Sequence, residues 1–188
     1  MLLAVVVPVK SFALAKGRLA GALDDDVRRA LARRCAEGVV RAAAPHTVYV
    51  VCDSEEIADW ATGLGARTVT QTSAGLNGAV HDGWMRARND GFTHLVIAHA
   101  DLPLATTFDH VPQEGAVTMV PDRHNDGTNV LSLPVGSDFV LHYGPSSFFA
   151  HLEEAVSRGI PHHVLHDDDL SLDLDTVEDL EELTRRTT

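Results

Sequence analysis

The chain has 188 residues, 45% of them hydrophobic, and a formal net charge of −12. This length suits one domain with a sizeable core, so we predict a single domain over residues 1–188. The negative charge argues against nonspecific nucleic-acid binding, and no apolar run is long enough to span a membrane. Met1–Val9 is apolar but lacks a basic leader and a cleavage site, which favours a cytoplasmic protein.

The chain begins with a β-branched apolar run, Leu2–Val9, which predicts a buried first strand. The loop that follows contains Lys10, Lys16 and Arg18, and these two lysines are the only ones in the chain. In a doubly wound sheet the first strand-to-helix loop holds phosphates, so these cations would grip a triphosphate directly. The loop has neither a Walker motif nor a dinucleotide fingerprint, and a solvated basic loop is the alternative.

Strands and helices alternate through the first part of the chain. Asp24–Asp26 precedes an amphipathic helix that ends before Pro45, and His46–Cys52 is a second strand. Asp53–Glu56 caps the next helix, and Arg67–Thr70 is a short third strand. This βαβαβ pattern is typical of nucleotide-binding α/β folds with a parallel sheet.

A polar, glycine-bearing loop leads from the third strand into a helix. Gly75 and Gly78 would let the backbone approach a flat nucleotide base, and the Asn77 amide would bond to it. The alternative is an ordinary helix start with Asn77 as its cap, and this segment alone favours it.

A buried strand from His94 ends abruptly near Asp101, because Pro103 lacks the amide that would continue the ladder. Asp101 would then stand at the carboxyl end of a central strand, where open α/β sheets bind ligands. A carboxylate there suits a hard divalent cation that bridges to phosphate oxygens. The alternative is a carboxylate that merely caps a turn or the next helix.

Two later segments suit anion binding. A polar loop joins strands at Ala116–Val120 and Val130–Leu133, and Thr128 in this loop has a hydroxyl and an amide suited to a carboxylate or phosphate. Pro145 predicts a helix start, where Ser147 and the free amides would make an anion site. A plain helix start is the alternative.

Apolar and acidic residues alternate from Leu170 to Thr176, before a final helix at Val177–Arg185. We expect Asp175 to cap this helix. Asp173, on the same face of a predicted strand, would be free to bind a metal.

Together these segments resemble the phosphoenolpyruvate or 2-phospho-L-lactate guanylyltransferases of coenzyme F-420 biosynthesis. That family shares the fold of nucleotide-sugar pyrophosphorylases, so the resemblance implies a single α/β, Rossmann-like (GT-A-like) nucleotidyltransferase domain. Its sheet would be mixed, mostly parallel and flanked by helices. Gly-Thr-Asn followed by Gly-Pro-x-Ser-Phe is the most specific part of the match. The matching segments are Val7–Lys10, Lys16–Leu19, Gly75–Asn77, Asp101–Pro103, Pro121–Arg123, Gly127–Asn129, Tyr143–Phe148 and Asp173–Thr176.

The resemblance also implies a reaction, in which GMP passes from GTP to a phosphorylated three-carbon acid and pyrophosphate is released. It implies partners of that kind only, with neither nucleic acid nor membrane, and it leaves the oligomeric state open. The implied roles are acceptor binding by Thr128, Gly144 and Ser147, Mg²⁺ binding by Asp101 and Asp173, base binding by Gly75 and Asn77, and triphosphate binding by Lys10, Lys16 and Arg18.

Two departures from the family pattern fall near the nucleotide. His99-Ala100 precedes Asp101 where glycine is expected, and Gly78 follows Asn77 where glutamate is common. They keep two alternatives open. One is a nucleotidyltransferase for another acceptor, such as molybdopterin or a sugar phosphate, and the other is a non-catalytic nucleotide-binding protein.

Overall fold

The computed structural model describes residues 1–14 and 16–188, except for the side chain of residue 14. A seven-stranded sheet forms its centre, with β1 (Leu3–Pro8), β2 (Thr47–Cys52), β3 (Arg67–Thr70), β4 (His94–Ala98), β5 (Val117–Pro121), β6 (Thr128–Pro134) and β7 (His162–Val164). The strand order is β3-β2-β1-β4-β6-β5-β7. Within the described ranges only β6 runs against the other strands, so the sheet is mixed and mostly parallel, as predicted.

Helices cover both faces of this sheet. They are α1 (Asp25–Ala42), α2 (Glu55–Gly63), α3 (Gly75–Asn89), α4 (Ser147–Ser157) and α5 (Val177–Thr187), with short 3₁₀ turns at Phe12–Leu14 and Gly17–Leu19. One apolar core packs α1 and α2 against the sheet, and a second packs α3 and α4 against the opposite face. None of the helices in the described residues has the length and apolar character needed to cross a membrane.

The central strands explain why the sequence shows runs rather than alternation. All residues of β4 are buried, as expected for a strand covered on both faces. α3 packs closely against the sheet at Gly83. A Cβ at this position would lie only 2.6 Å from Val6 Cγ1 and 2.9 Å from Val51 Cγ2, so the close approach requires glycine. β1 and β4 are paired and parallel, so the loops that follow them lie at the same edge of the sheet.

The segment before α5 differs from the prediction in two ways. Residues 170–176 form no strand but an irregular segment, in which the Leu174 amide donates to the Asp101 carbonyl over 3.1 Å. Thr176, and not Asp175, caps α5, because its hydroxyl accepts from the Asp179 amide while the Asp179 carboxylate accepts from the Thr176 amide. This capping box leaves the Asp175 carboxylate free to make other contacts.

Candidate active site

Two predicted residues from distant parts of the chain meet at the carboxyl edge of the sheet. The Lys16 ammonium donates to Asp101 Oδ2 over 2.7 Å and to Asp175 Oδ1 over 3.1 Å. The Lys16 side chain is only 5% exposed, and its backbone lies in the left-handed region at φ 60°. A non-glycine residue held in that conformation is a mark of a constrained site. We call Lys16, Asp101, Asp173 and Asp175 the charged centre.

The carboxyls of this centre are crowded. Burial, together with the negative charges of Asp101 and Asp175, raises the pKa of Asp173 to about 7. Burial opposes the charge of Lys16, but Asp101 and Asp175 outweigh it and raise the lysine pKa. Burial likewise opposes ionisation of Asp101, and Lys16 overcomes it and lowers that pKa. Lys16 therefore pairs with two of the three carboxyls, Asp101 and Asp175.

Several buried polar atoms beside the centre have no hydrogen-bond partner in the part of the chain that the structure describes. They are Asp101 Oδ1, His99 Nε2 and the Tyr143 hydroxyl. Buried polar atoms are normally paired with protein, water or a ligand. An unpaired carboxylate oxygen in a carboxyl-rich cluster fits a hard divalent cation such as Mg²⁺.

The described residues contain no ready-made metal cage of three or more acidic, histidine or cysteine side chains. The hydrogen bonds give a physical reason, since the Lys16 ammonium lies between Asp101 and Asp175. Asp173 is held by the Asn129 side-chain amide, which donates to the Leu170 and Ser171 carbonyls and lies 3.5 Å from Asp173 Oδ1.

A cleft of about 400 Å³ extends from the charged centre along the ends of β1, β2 and β3. Asp101, His99 and Lys16 line one end, and Asp53 and Gln71 line the other. Its shape and place suit a nucleotide with its phosphates near the lysine.

The other two predicted cations lie near this cleft. Lys10 also lines it, which agrees with the predicted triphosphate loop. Arg18 does not line it; the Arg18 side chain is 75% exposed and its guanidinium lies 3.7 Å from Asp175 Oδ2.

The predicted base-binding residues have a different local role. Ala74, not Asn77, is the N-cap of α3, and Gly75 begins that helix at φ 78°. The Asn77 amide is bonded to the backbone of Tyr143, donating to its carbonyl over 2.9 Å and accepting from its N–H over 2.8 Å. Neither Gly75 nor Asn77 lines the cleft, so base binding by these two residues remains a prediction.

The predicted acceptor residues lie together on the other side of Asp101. Thr128 begins β6, and its amide donates to Ser147 Oγ, at the start of α4, over 3.0 Å. Gly144 precedes α4 with φ 149°, a conformation that favours glycine. Thr128 and Ser147 are 0% and 2% exposed, so both side chains are closed to solvent in this structure, and acceptor binding by them remains a prediction.

One residue of this region was missed by the sequence reasoning. The His151 ring lies one helical turn after Ser147 and within 3.0 Å of the Thr128 hydroxyl. The spacing of these two residues along a predicted helix was the available signal. We call Thr128, Ser147 and His151 the neutral wall.

Comparison with known proteins identifies the family and the fold of this chain. A phosphoenolpyruvate guanylyltransferase from Rubrobacter xylanophilus is 36% identical over 187 residues, which covers 95% of this chain and 91% of that protein. A 2-phospho-L-lactate guanylyltransferase from Methanothermobacter thermautotrophicus is 32% identical, over 95% of this chain and 82% of that protein. A Desulfovibrio desulfuricans structure described as a nucleotide-diphospho-sugar transferase shares the fold, with TM-score 0.79, 17% identity and coverage of 99% and 87% of the two chains. The model of the family described as "Guanylyl transferase CofC like" matches residues 3–186, and the chain therefore belongs to that family.

Proposed function

We propose that this protein is a guanylyltransferase that joins GMP from GTP to phosphoenolpyruvate or 2-phospho-L-lactate and releases pyrophosphate. The product would be the activated intermediate of coenzyme F-420 biosynthesis that the family resemblance implies. The names of the relatives support this reaction class. The single observation that carries it is the convergence of Lys16, Asp101 and Asp175, with Asp173 beside them, between a nucleotide-sized cleft and the neutral wall.

The strand order and the cleft support one arrangement of the two substrates. GTP would lie in the cleft over β1, β2 and β3, with its phosphates near Lys10 and Lys16. The acceptor would lie on the β6 side, near Thr128, Gly144 and Ser147. The charged centre would lie between GTP and the acceptor, where the acceptor oxygen would attack the α-phosphate.

The reaction is an in-line displacement. An acceptor phosphate oxygen forms a bond to the α-phosphorus of GTP, and the bond to the leaving pyrophosphate breaks with its electron pair. A phosphate monoester is largely ionised near neutral pH, so a strong general base is unnecessary. Catalysis then depends on positioning and on neutralising charge. Lys10, Lys16 and Arg18 would balance the charge that builds on pyrophosphate.

Mg²⁺ would be held by Asp101 and Asp173 and would supply charge neutralisation at the α-phosphate when bound. Asp175 would keep Lys16 nearby through its own ion pair. The unpaired Asp101 Oδ1 supports this assignment, and so does the pKa of Asp173, which burial and the neighbouring carboxylates raise to about 7.

Product mass tests the proposal directly. The protein is incubated with Mg²⁺, each of GTP, CTP and ATP, and each of phosphoenolpyruvate, 2-phospho-L-lactate, 3-phosphoglycerate, a sugar phosphate and molybdopterin. We expect a guanylylated three-carbon acid and stoichiometric pyrophosphate with GTP. Product from a sugar phosphate or molybdopterin alone would replace the acceptor assignment. GTP binding detected by calorimetry, with no release of pyrophosphate from GTP in the presence of any acceptor, would reject an enzymatic function.

A further inference from the structure

His151 is a buried histidine on α4 that bonds through both ring nitrogens. Its Nδ1 lies 3.0 Å from the Thr128 hydroxyl, and its Nε2 accepts from the backbone N–H of His142 over 2.9 Å. The rings of Tyr143 and Phe139 pack against it at 4.9 Å and 5.7 Å between centroids. The ring therefore has little freedom to turn.

The bond from His142 fixes the tautomer. A backbone N–H is always a donor, so Nε2 of His151 must present a lone pair to it. The ring proton is then on Nδ1, which donates to Thr128 Oγ1. Burial lowers the pKa of His151 to about 4, with His142 and His99 adding to the effect, so the ring is neutral at pH 7.

When His151 Nδ1 is the donor to Thr128, two nearby hydroxyl hydrogens have no assigned acceptor. Thr128 Oγ1 accepts from His151, and Ser147 Oγ accepts from the Thr128 amide. Among the residues that the structure describes, neither hydroxyl hydrogen has a protein acceptor within hydrogen-bond distance. Buried hydroxyls normally donate as well as accept, so each of these hydrogens is available to the oxygen of a bound water or ligand. Two adjacent donors without acceptors suit an anion.

We propose that His151 is a positioning residue of the acceptor site, which fixes the Thr128 hydroxyl as a donor to the carboxylate or phosphate oxygens of the acceptor. Ser147 provides the second donor of the pair. This inference rests on the proposed function and extends it, because it assigns acceptor binding to a donor-only, uncharged surface. His151 itself does not touch the substrate.

Two substitutions distinguish the donor role of His151 Nδ1 from the acceptor role of Nε2. In His151→Asn the side-chain amide N–H occupies the place of Nδ1–H and still donates to Thr128. In His151→Gln the side-chain oxygen reaches the place of Nε2 and the donor to Thr128 is lost. We expect His151→Gln to raise the acceptor KM by about tenfold, with the GTP KM within about twofold of wild type. His151→Asn should stay within about threefold for both substrates.

Thr128 supplies the matched pair if either histidine variant melts early in thermal denaturation. Thr128→Ser retains the hydroxyl, and Thr128→Val removes it with little change in shape. Only Thr128→Val should raise the acceptor KM. The inference is overturned if the two histidine variants weaken acceptor binding equally, or if the acceptor and GTP KM values rise together.

A binding measurement separates this inference from the proposed reaction. Calorimetry with phosphoenolpyruvate alone reports acceptor binding whether or not pyrophosphate is ever released. About tenfold weaker binding to His151→Gln than to wild type supports the positioning role even if wild type is inactive with GTP. An active wild type with equal acceptor affinity in both histidine variants refutes the positioning role alone. Failure of wild type to bind any acid of the panel overturns the positioning role, and it overturns the proposed function as well if no guanylylated product forms.

Discussion

The charged centre and the neutral wall lie at the same edge of the sheet but are built on opposite principles. In the charged centre, Lys16 pairs with Asp101 and Asp175, while within the described ranges Asp173 has no ion pair and a buried oxygen of Asp101 is unpaired. In the neutral wall, every group is uncharged and its acceptors are already satisfied by the protein. The charged centre has more carboxyl groups than cations. In the neutral wall, the hydroxyl hydrogens of Thr128 and Ser147 have no acceptor among the described residues.

This difference separates two ways of binding anions in a protein with a net charge of −12. Under the proposed function, the carboxylates of the charged centre would attract a cation that in turn binds phosphate, because burying unpaired charge is costly. Fixed hydroxyl donors bind an anion without added charge and without reorganisation at the moment of reaction. Substitutions in the two regions should therefore change different kinetic constants.

The largest effect is expected from Asp101→Asn in the charged centre. Removing this charge should weaken the proposed binding of Mg²⁺, and the neutralisation of phosphate charge would be lost with the metal. We therefore expect kcat to fall by roughly 10²–10³-fold. The free energy of unfolding should change by less than about 2 kcal/mol, since Asp175 still pairs with Lys16. Pyrophosphate release and urea denaturation measure the two quantities. Asp138→Asn, at an exposed carboxylate outside both regions, is the control. Unchanged turnover in Asp101→Asn would remove the metal role from this residue.

An effect on acid stability is expected from the neutral wall. His151 has a pKa of about 4 in the folded chain against an ordinary 6.5, so the unfolded chain binds this proton more readily. Its contribution to stability is constant above pH 6.5 and is lost as the pH falls toward 4. The loss amounts to up to about 3 kcal/mol.

Urea denaturation at several pH values measures this contribution. His151→Asn should lose less stability than wild type between pH 6.5 and 4. His142, His99 and Glu154 face the ring, and all three are retained in the variant. His94, also lowered to a pKa of about 4 by burial, contributes equally to both proteins. Identical pH profiles for the two proteins would contradict a neutral, buried His151.

The smallest effect is expected at Asn77, which joins α3 to the segment at Tyr143 and Gly144. Asn77→Ala removes both hydrogen bonds to the Tyr143 backbone and should cost about 1–2 kcal/mol of stability. The acceptor KM should rise by a few-fold more than the GTP KM, because Tyr143 adjoins Gly144. Asn89→Ala, at an exposed position of the same helix, is the control. A rise in the GTP KM alone would instead favour the base-reading role predicted from sequence.

The sequence located most of these residues because each stands where a strand or helix begins or ends. Asp101 was identified by a buried run that stops at a proline, and Ser147 by a proline near a helix start. Local signals of this kind depend on backbone chemistry, which neighbouring residues determine. The same signals failed at residues 170–176, where alternation of apolar and acidic residues indicated a strand that does not form. There the apolar side chains are buried without pairing into the sheet.

The sequence by itself determined the alternating α/β architecture and the family, since hydrophobic periodicity and motif order are properties of the chain. Only the tertiary structure decided that Lys16 lies between Asp101 and Asp175, that Asn77 holds Tyr143, and that His151 faces Thr128. These contacts join residues far apart in the chain or on different elements. Their hydrogen bonds and pKa shifts depend on distances and burial, which exist only once the sheet has brought its loops together.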